Sequence, residues 1–388
     1  LNDLAERYVK CVLAMGEHDA DYVDSYYGPP QWREEAKGRT LAEIRQEAGV
    51  ILSRVDGEGS RADYLRRQLE ALLARIDILE GKRLSFDEES KALYDVVAPH
   101  YSEQHFQSLL GDLDAALPGR GAVAERYESY RQQFVIAREK LDTVFQRAIA
   151  GCRARTLAHM LLPEGESFTV EYVNGKSWSG YNWFQGGYRS LIQVNTDLPI
   201  FIDRAIDLAC HEGYPGHHVY NTLLEKNLVR DRGWMEFSVY ALFSPQSMIA
   251  EGSANYGIDV AFPASERAAY ESHELFPLAG FDPSHAEQYY AIHELGSKLS
   301  YAGNEAARGY LDGALSLDAA VEWLVTYALM APERARQRVR FFDQYRSYVI
   351  NYNLGKDLVR DYVERQAADR WAVFADLLSS PRLPSALI

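Results

Sequence analysis

From Asp207 to Asn227 the chain reads DLACHEGYPGHHVYNTLLEKN, which holds three of its ten histidines, a glutamate directly after the first, and Pro-Gly inside an otherwise helical stretch. Imidazoles beside a carboxylate suit a zinc ion that activates water for attack on a carbonyl, with the neighbouring glutamate as general base. Glu212 stands in that place after His211. A regular helix would not assemble the site. Positions i and i+4 share a face about 6 Å apart, but i+4 from His211 is Pro215, which offers no ligand. His217 at i+6 falls on roughly the opposite side, and His218 at i+7 lies about 10 Å along the axis. Gly213-Tyr214-Pro215-Gly216 supplies a way out, because glycine tolerates unusual dihedrals and proline removes a helix hydrogen bond. A bulge there can fold His211 and one of His217 or His218 onto one metal, and the spacing leaves both histidines open.

A catalytic zinc asks for a third protein ligand and one free position. SMIAEGSANYGIDV offers Glu251 on a predicted helix, among Ile249, Ala250, Gly252 and Ala254. A carboxylate in such apolar company is costly unless paired or bound to a metal. Asn255 and Asp259 follow at i+4 and i+8, and Asn255 is placed to orient a ligand.

Around these residues, 1–160 read as helix after helix. DYLRRQLEALLARIDILEG repeats apolar residues at helical spacing and stops at Gly81, and the stretch 124–161 predicts two helices meeting near Gly151. SFTVEYVNGKSWSGYNWFQGGYRSLIQVNT is rich in β-branched and aromatic residues, with Asn174-Gly175 as a hairpin turn. From Phe237 onward the chain is helical again, broken at prolines. The expected class is mainly α with one small sheet before the motif helix: an N-terminal helical lobe over 1–160 and a catalytic lobe over 161–388.

A net charge of −15 argues against general binding to nucleic acid or anionic membranes. Cys11, Cys152 and Cys210 are widely spaced and form no disulfide framework. The N-terminus is charged from its third residue, and no apolar run is long enough to span a bilayer. These features predict a cytoplasmic protein.

HEGYPGHH resembles the HExxPGHH signature of a large, mostly bacterial family of unknown function grouped with the zincin-type metallopeptidases. YRSLIQVNTDLP resembles that family's strand before the motif helix, and AEGSANYG its Glu-Gly segment. In RSYVINYNLGKDLVR, Tyr352 and Gly355 fit its C-terminal Tyr-x-x-Gly pattern. The resemblance spans roughly residues 165–360. It implies a gluzincin-like zinc site of His211, one of His217 or His218, and Glu251, with Glu212 as base. It also implies a two-lobed, mostly helical metallopeptidase-like fold with a deep cleft.

Further roles are assigned by position. The segment Tyr188–Asn195 is a candidate strand for pairing with an extended peptide. Tyr352 is the candidate oxyanion donor, Tyr348, one turn earlier, is a candidate substrate-binding residue, and Arg346 is a candidate grip for a substrate carboxylate. His285 and His293 are the other histidines considered for the cleft. The expected function is zinc-dependent hydrolysis of short peptides, as an oligopeptidase or carboxypeptidase. The alternative is a non-catalytic metal- or peptide-binding protein, against which the retained Glu212 counts.

Overall fold

Leu65, Leu69, Leu72 and Ile76 recur at three- and four-residue intervals, and all are buried along one helix, Ser60–Leu79, in the computed structural model, which describes residues 1–388. The chain turns out of this helix at Gly81, whose φ of 96° suits a residue without Cβ. Helices Leu41–Arg54 and Phe86–Tyr94 each start on a reciprocal cap, Thr40 with Glu43 and Ser85 with Glu88. The expected break at Gly151 is not there. Helix Val123–Gln132 ends earlier, and Arg138–Leu157 runs straight through Gly151. That glycine makes room for the Tyr270 ring, which a Cβ would overlap.

The protein is mainly α with small sheets, as expected. The strands are β1 (Val23–Tyr26), β2 (Ser167–Val173), β3 (Gly180–Gly186), β4 (Arg189–Asn195) and β5 (Val239–Ala241). β2, β4 and β3 form one sheet in that order, with β4 parallel to β2 and antiparallel to β3. Asn174-Gly175 is therefore a turn but not a hairpin. The segments on either side of it do not pair, and the hairpin is made instead by β3 and β4 through Gly187-Tyr188. Asp197 holds the 174–176 turn by accepting from the backbone N–H groups of Gly175 at 2.7 Å and Lys176 at 3.4 Å. A second sheet, β1 with β5, has no counterpart in the sequence reading.

Two apolar cores form, and each draws on both sides of residue 160. One packs the N-terminal helices up to Ala98 against β5 and the helices between Ala306 and Leu354. The other packs Phe106–Cys152 against the β2–β4–β3 sheet, the motif helix and the C-terminus. Two helices run along the seam. Pro245–Ala261 gives Met248 to the first core and Ile249, Tyr256 and Ile258 to the second. Ile350–Glu364 gives Ile350 and Leu354 to the first and Val359 and Val363 to the second. They meet glycine to glycine. A Cβ on Gly252 would overlap the backbone of Gly355, and one on Gly355 would lie 2.8 Å from the Met248 carbonyl oxygen.

Gly252→Ala is expected to cost about 1–3 kcal/mol through overpacking at this crossing. The check is the urea midpoint, which should fall with little change in slope.

Candidate metal centre

The motif helix Asp203–Leu208 widens into one turn of π-helix, Ala209–Gly213, and the chain restarts as a helix at His217–Leu224. Tyr214 N–H donates to the Ala209 carbonyl at 3.1 Å, and Gly216 N–H to the Cys210 carbonyl at 2.9 Å. Only glycine fits at 216, because a Cβ would overlap the carbonyl oxygens of Cys210 and His211. This bulge brings the Nε2 atoms of His211 and His217 to 3.2 Å. His218, the next residue, is turned away by about 100°. It is fully buried, with Nδ1 2.9 Å from Ser190 Oγ and Nε2 2.9 Å from Glu166 Oε2. Of the two histidines left open by the spacing, His217 joins the cluster. His218 as a ligand is corrected: it belongs to a network with Glu166, which also accepts from Tyr214 and Arg153.

Glu251 completes the group. Its Oε2 lies 3.2 Å from His211 Nε2 and 3.7 Å from His217 Nε2. Two bonds of about 2.1 Å at a tetrahedral angle set neighbouring ligand atoms about 3.4 Å apart, and the three separations here bracket that value. Glu251 Oε2 is buried and receives no hydrogen bond, while Oε1 accepts from the Tyr348 hydroxyl at 2.8 Å. An orphaned buried carboxylate oxygen facing two imidazoles is a donor set that fits a divalent cation. Asn255 Oδ1 lies 3.1 Å from His211 Nδ1, and its amide donates to the Tyr352 carbonyl at 3.0 Å, which ties the imidazole to the neighbouring helix. Asp259 does not share this role, since it pairs with Lys356.

The surroundings are rich in carboxylates. Burial opposes the Glu251 charge, but the imidazoles of His211 and His217 beside it outweigh burial and hold its pKa well below the usual range. For His217 burial works against the proton. The adjacent Glu251 carboxylate and the charges of Glu212 and Asp24 prevail and push it up to about 9. Burial raises the Glu212 pKa, against the pull of His211 and His217. Its backbone carbonyl accepts from Asn182 at 2.7 Å, and a Cβ on Gly180 would lie 2.8 Å from its Oε1. Asp24 arrives from β1, accepts a hydrogen bond from the Tyr181 hydroxyl, and has its pKa pushed up to about 6 by burial. No local signal marks Asp24, which lies far from the motif in sequence. Glu166 was likewise not singled out.

All three ligands and Glu212 open on a cavity of about 1000 Å³. Tyr348 and Tyr352 line it, both kept protonated by burial. His293 reaches it too, with Nδ1 3.7 Å from Asp203, whereas His285 packs on Phe134. Arg346 does not grip anything in the cavity. Its Nε is bound at 2.5 Å to buried Glu89, which also accepts from Ser347, and this clamp holds Arg346 at a φ of 51°. β4 cannot pair with a peptide, because both its edges are taken by β2 and β3. Within this sheet, the strand that borders the cavity is β3, at Gly180–Asn182. Cys152 and Cys210 are both buried, with sulfurs 2.8 Å apart directly behind His211, so two of the widely spaced cysteines meet after all.

Burial raises the Glu166 pKa, but hydrogen bonds from His218, Tyr214 and Arg153 outweigh it and leave the value lowered. A carboxylate with a lowered folded pKa stabilises the fold above its unfolded pKa and loses that contribution as pH falls through the folded one. The wild type should therefore lose more stability between about pH 6 and about pH 3 than Glu166→Gln does, by urea titration. Equal losses would remove Glu166 from the account.

No protein-family model matches the chain, and no curated protein matches it in sequence. Solved structures do. A protein described as "putative lipoprotein" from Colwellia psychrerythraea superposes with a TM-score of 0.56 at 16% identity, over 92% of this chain and 68% of that one. A "putative lipoprotein of unknown function" from Shewanella oneidensis gives 0.51 at 14% identity, over 92% and 75%. At these identities the likeness shows a shared fold. The expected cytoplasmic location is not upheld, since these two structures carry a lipoprotein description. No helix of the chain is long and apolar enough to cross a membrane.

Proposed function

We propose that this protein is a zinc-dependent hydrolase of peptide or related amide bonds in short peptides, on a two-lobed metallopeptidase-like scaffold. The observation that carries the reading is the convergence of His211, His217 and the orphaned Glu251 oxygen beside the buried carboxylate of Glu212. The HExxPGHH resemblance supports the same assignment. A zinc ion held by these three residues would supply Lewis-acid polarisation of the scissile carbonyl and make a water acidic enough to attack near neutral pH.

The chain's own residues do the rest. Glu212 takes the proton of the attacking water and returns it to the leaving amine; burial raises its affinity for that proton. Tyr352 makes no hydrogen bond through its hydroxyl and lines the cavity, so it can donate to the developing oxyanion. Tyr348 is committed to Glu251, and its role is to hold that carboxylate in place rather than to bind substrate. A cavity of about 1000 Å³ takes a few residues of extended chain and excludes folded proteins.

Zinc titration of the chelator-stripped protein should show one tight site that is lost in His217→Ala and weakened but retained in His218→Ala. Short-peptide hydrolysis should be sensitive to chelator, and Glu212→Gln should lower it by about 10²-fold or more while leaving zinc bound. Zinc bound without chelator-sensitive cleavage of any peptide would sink the hydrolase reading.

A further inference from the structure

Arginines line part of the cavity. Helix Pro332–Tyr345 carries Arg334 and Arg338 into the cavity, and Arg204 of the motif helix lines it too. The chain is strongly acidic, and its other mostly buried arginines have found partners: Arg61 with Glu236, Arg75 with Asp19, Arg131 with Asp203, Arg267 with Asp207, Arg308 with Asp87. Arg338 has none. Its Nε is buried without any hydrogen-bond partner, and its guanidinium only stacks, 4.6 Å from the Phe341 ring centre and 5.7 Å from that of Tyr352. Burial without an anion lowers its pKa from the ordinary arginine value. Arg334, one turn earlier, also forms no ion pair. Arg338 is half-buried with a buried, unpartnered Nε, and Arg334 is exposed, so this pair can receive an anion that a ligand supplies.

Its position relative to the metal cluster limits what that ligand can be. The Tyr352 ring touches both sides: it lies 5.7 Å from Arg338 and 5.8 Å from the Tyr348 ring, whose hydroxyl holds Glu251. That distance is spanned by no more than a few extended residues, at about 3.5 Å each. A guanidinium pairs best with a carboxylate, through parallel N–H donors.

We propose that Arg338, supported by Arg334, receives the C-terminal carboxylate of the peptide, so that the site acts near a free C-terminus. This rests on the hydrolase reading for its chemistry, but the anchor is a binding site that can be tested without turnover. The grip assigned from sequence to Arg346 passes to a residue eight positions earlier.

The test uses Glu212→Gln protein, zinc-loaded and chelator-stripped, and calorimetric binding of Ala-Ala-Ala-Phe as free acid, of its C-terminal amide, and of Ala-Ala-Ala-Glu amide. The free acid should bind about 10-fold or more tighter than either amide. Adding Arg338→Met should erase that preference, Arg338→Lys should keep part of it, and Arg334→Gln should weaken it. Thermal melts verify that each variant is folded. Acid and amide binding alike, a preference that survives Arg338→Met, or no binding of any peptide would each overturn the anchor. Glu-amide binding as tightly as the free acid would overturn it in favour of an acidic side chain. None of these readings needs hydrolysis, so failure of the anchor and failure of the hydrolase reading are separate results.

Discussion

Two imidazoles six residues apart can reach one cation only if the helix between them is interrupted, and the interruption must have a fixed shape. Here it is a widened turn followed by a tight crossover, closed by hydrogen bonds from Tyr214 and Gly216 back to Ala209 and Cys210. The backbones at 210, 211 and 216 come so close that residue 216 has no room for a side chain. Behind the bulge, His218 with Glu166 and Ser190 makes a buried network that faces the opposite way. The adjacent histidines thus divide the work: one points to the cavity, and the other pins the backbone that makes this possible.

The remaining ligand depends on a different constraint. Glu251 sits on a helix that belongs to neither core alone, and its height over the bulge is set by how closely that helix approaches Ile350–Glu364. Gly252 and Gly355 allow backbone-to-backbone contact there. The same contact delivers Tyr348 to Glu251 and the Tyr352 carbonyl to Asn255, which in turn fixes His211. Displacements at one crossing therefore reach two of the three clustered side chains, Glu251 and His211, at once.

What could be read in advance follows from range. The bulge, the paired use of histidine and glutamate, and the helix of Glu251 are local patterns, and local spacing exposed them. His217 could not be told from His218, because the choice depends on which way a non-helical crossover turns. The strand order was hidden for a related reason: β2 pairs in parallel with β4, so the strands flanking Asn174-Gly175 are not partners although the turn residues suit a hairpin. Arg346 was misread because its partner, Glu89, is remote in sequence and only the fold brings them together. Asp24 carried no signal at all. Arg338 did carry one, the arginine-rich run PERARQRVRFF in an acidic chain, but its meaning needs the knowledge that Arg338 has a buried Nε with no partner.

The charge pattern of the cleft gives the residues a common logic. At one end three carboxylates, Asp24, Glu212 and Glu251, face two imidazoles, and His217 is driven to hold a proton to limit the excess. A divalent cation relieves that excess and displaces the proton, so cation binding at this end is favoured by the fold's own electrostatics. At the other end unpaired guanidinium groups leave the opposite imbalance. The Tyr352 ring lies between the two ends, 5.7 Å from Arg338 and 5.8 Å from the ring of Tyr348, whose hydroxyl holds Glu251. On the proposed reading, a ligand that carries a polarisable carbonyl and, a short way along, a negative charge would answer both imbalances together, and the spacing of the two is tied to the helix crossing at Gly252 and Gly355.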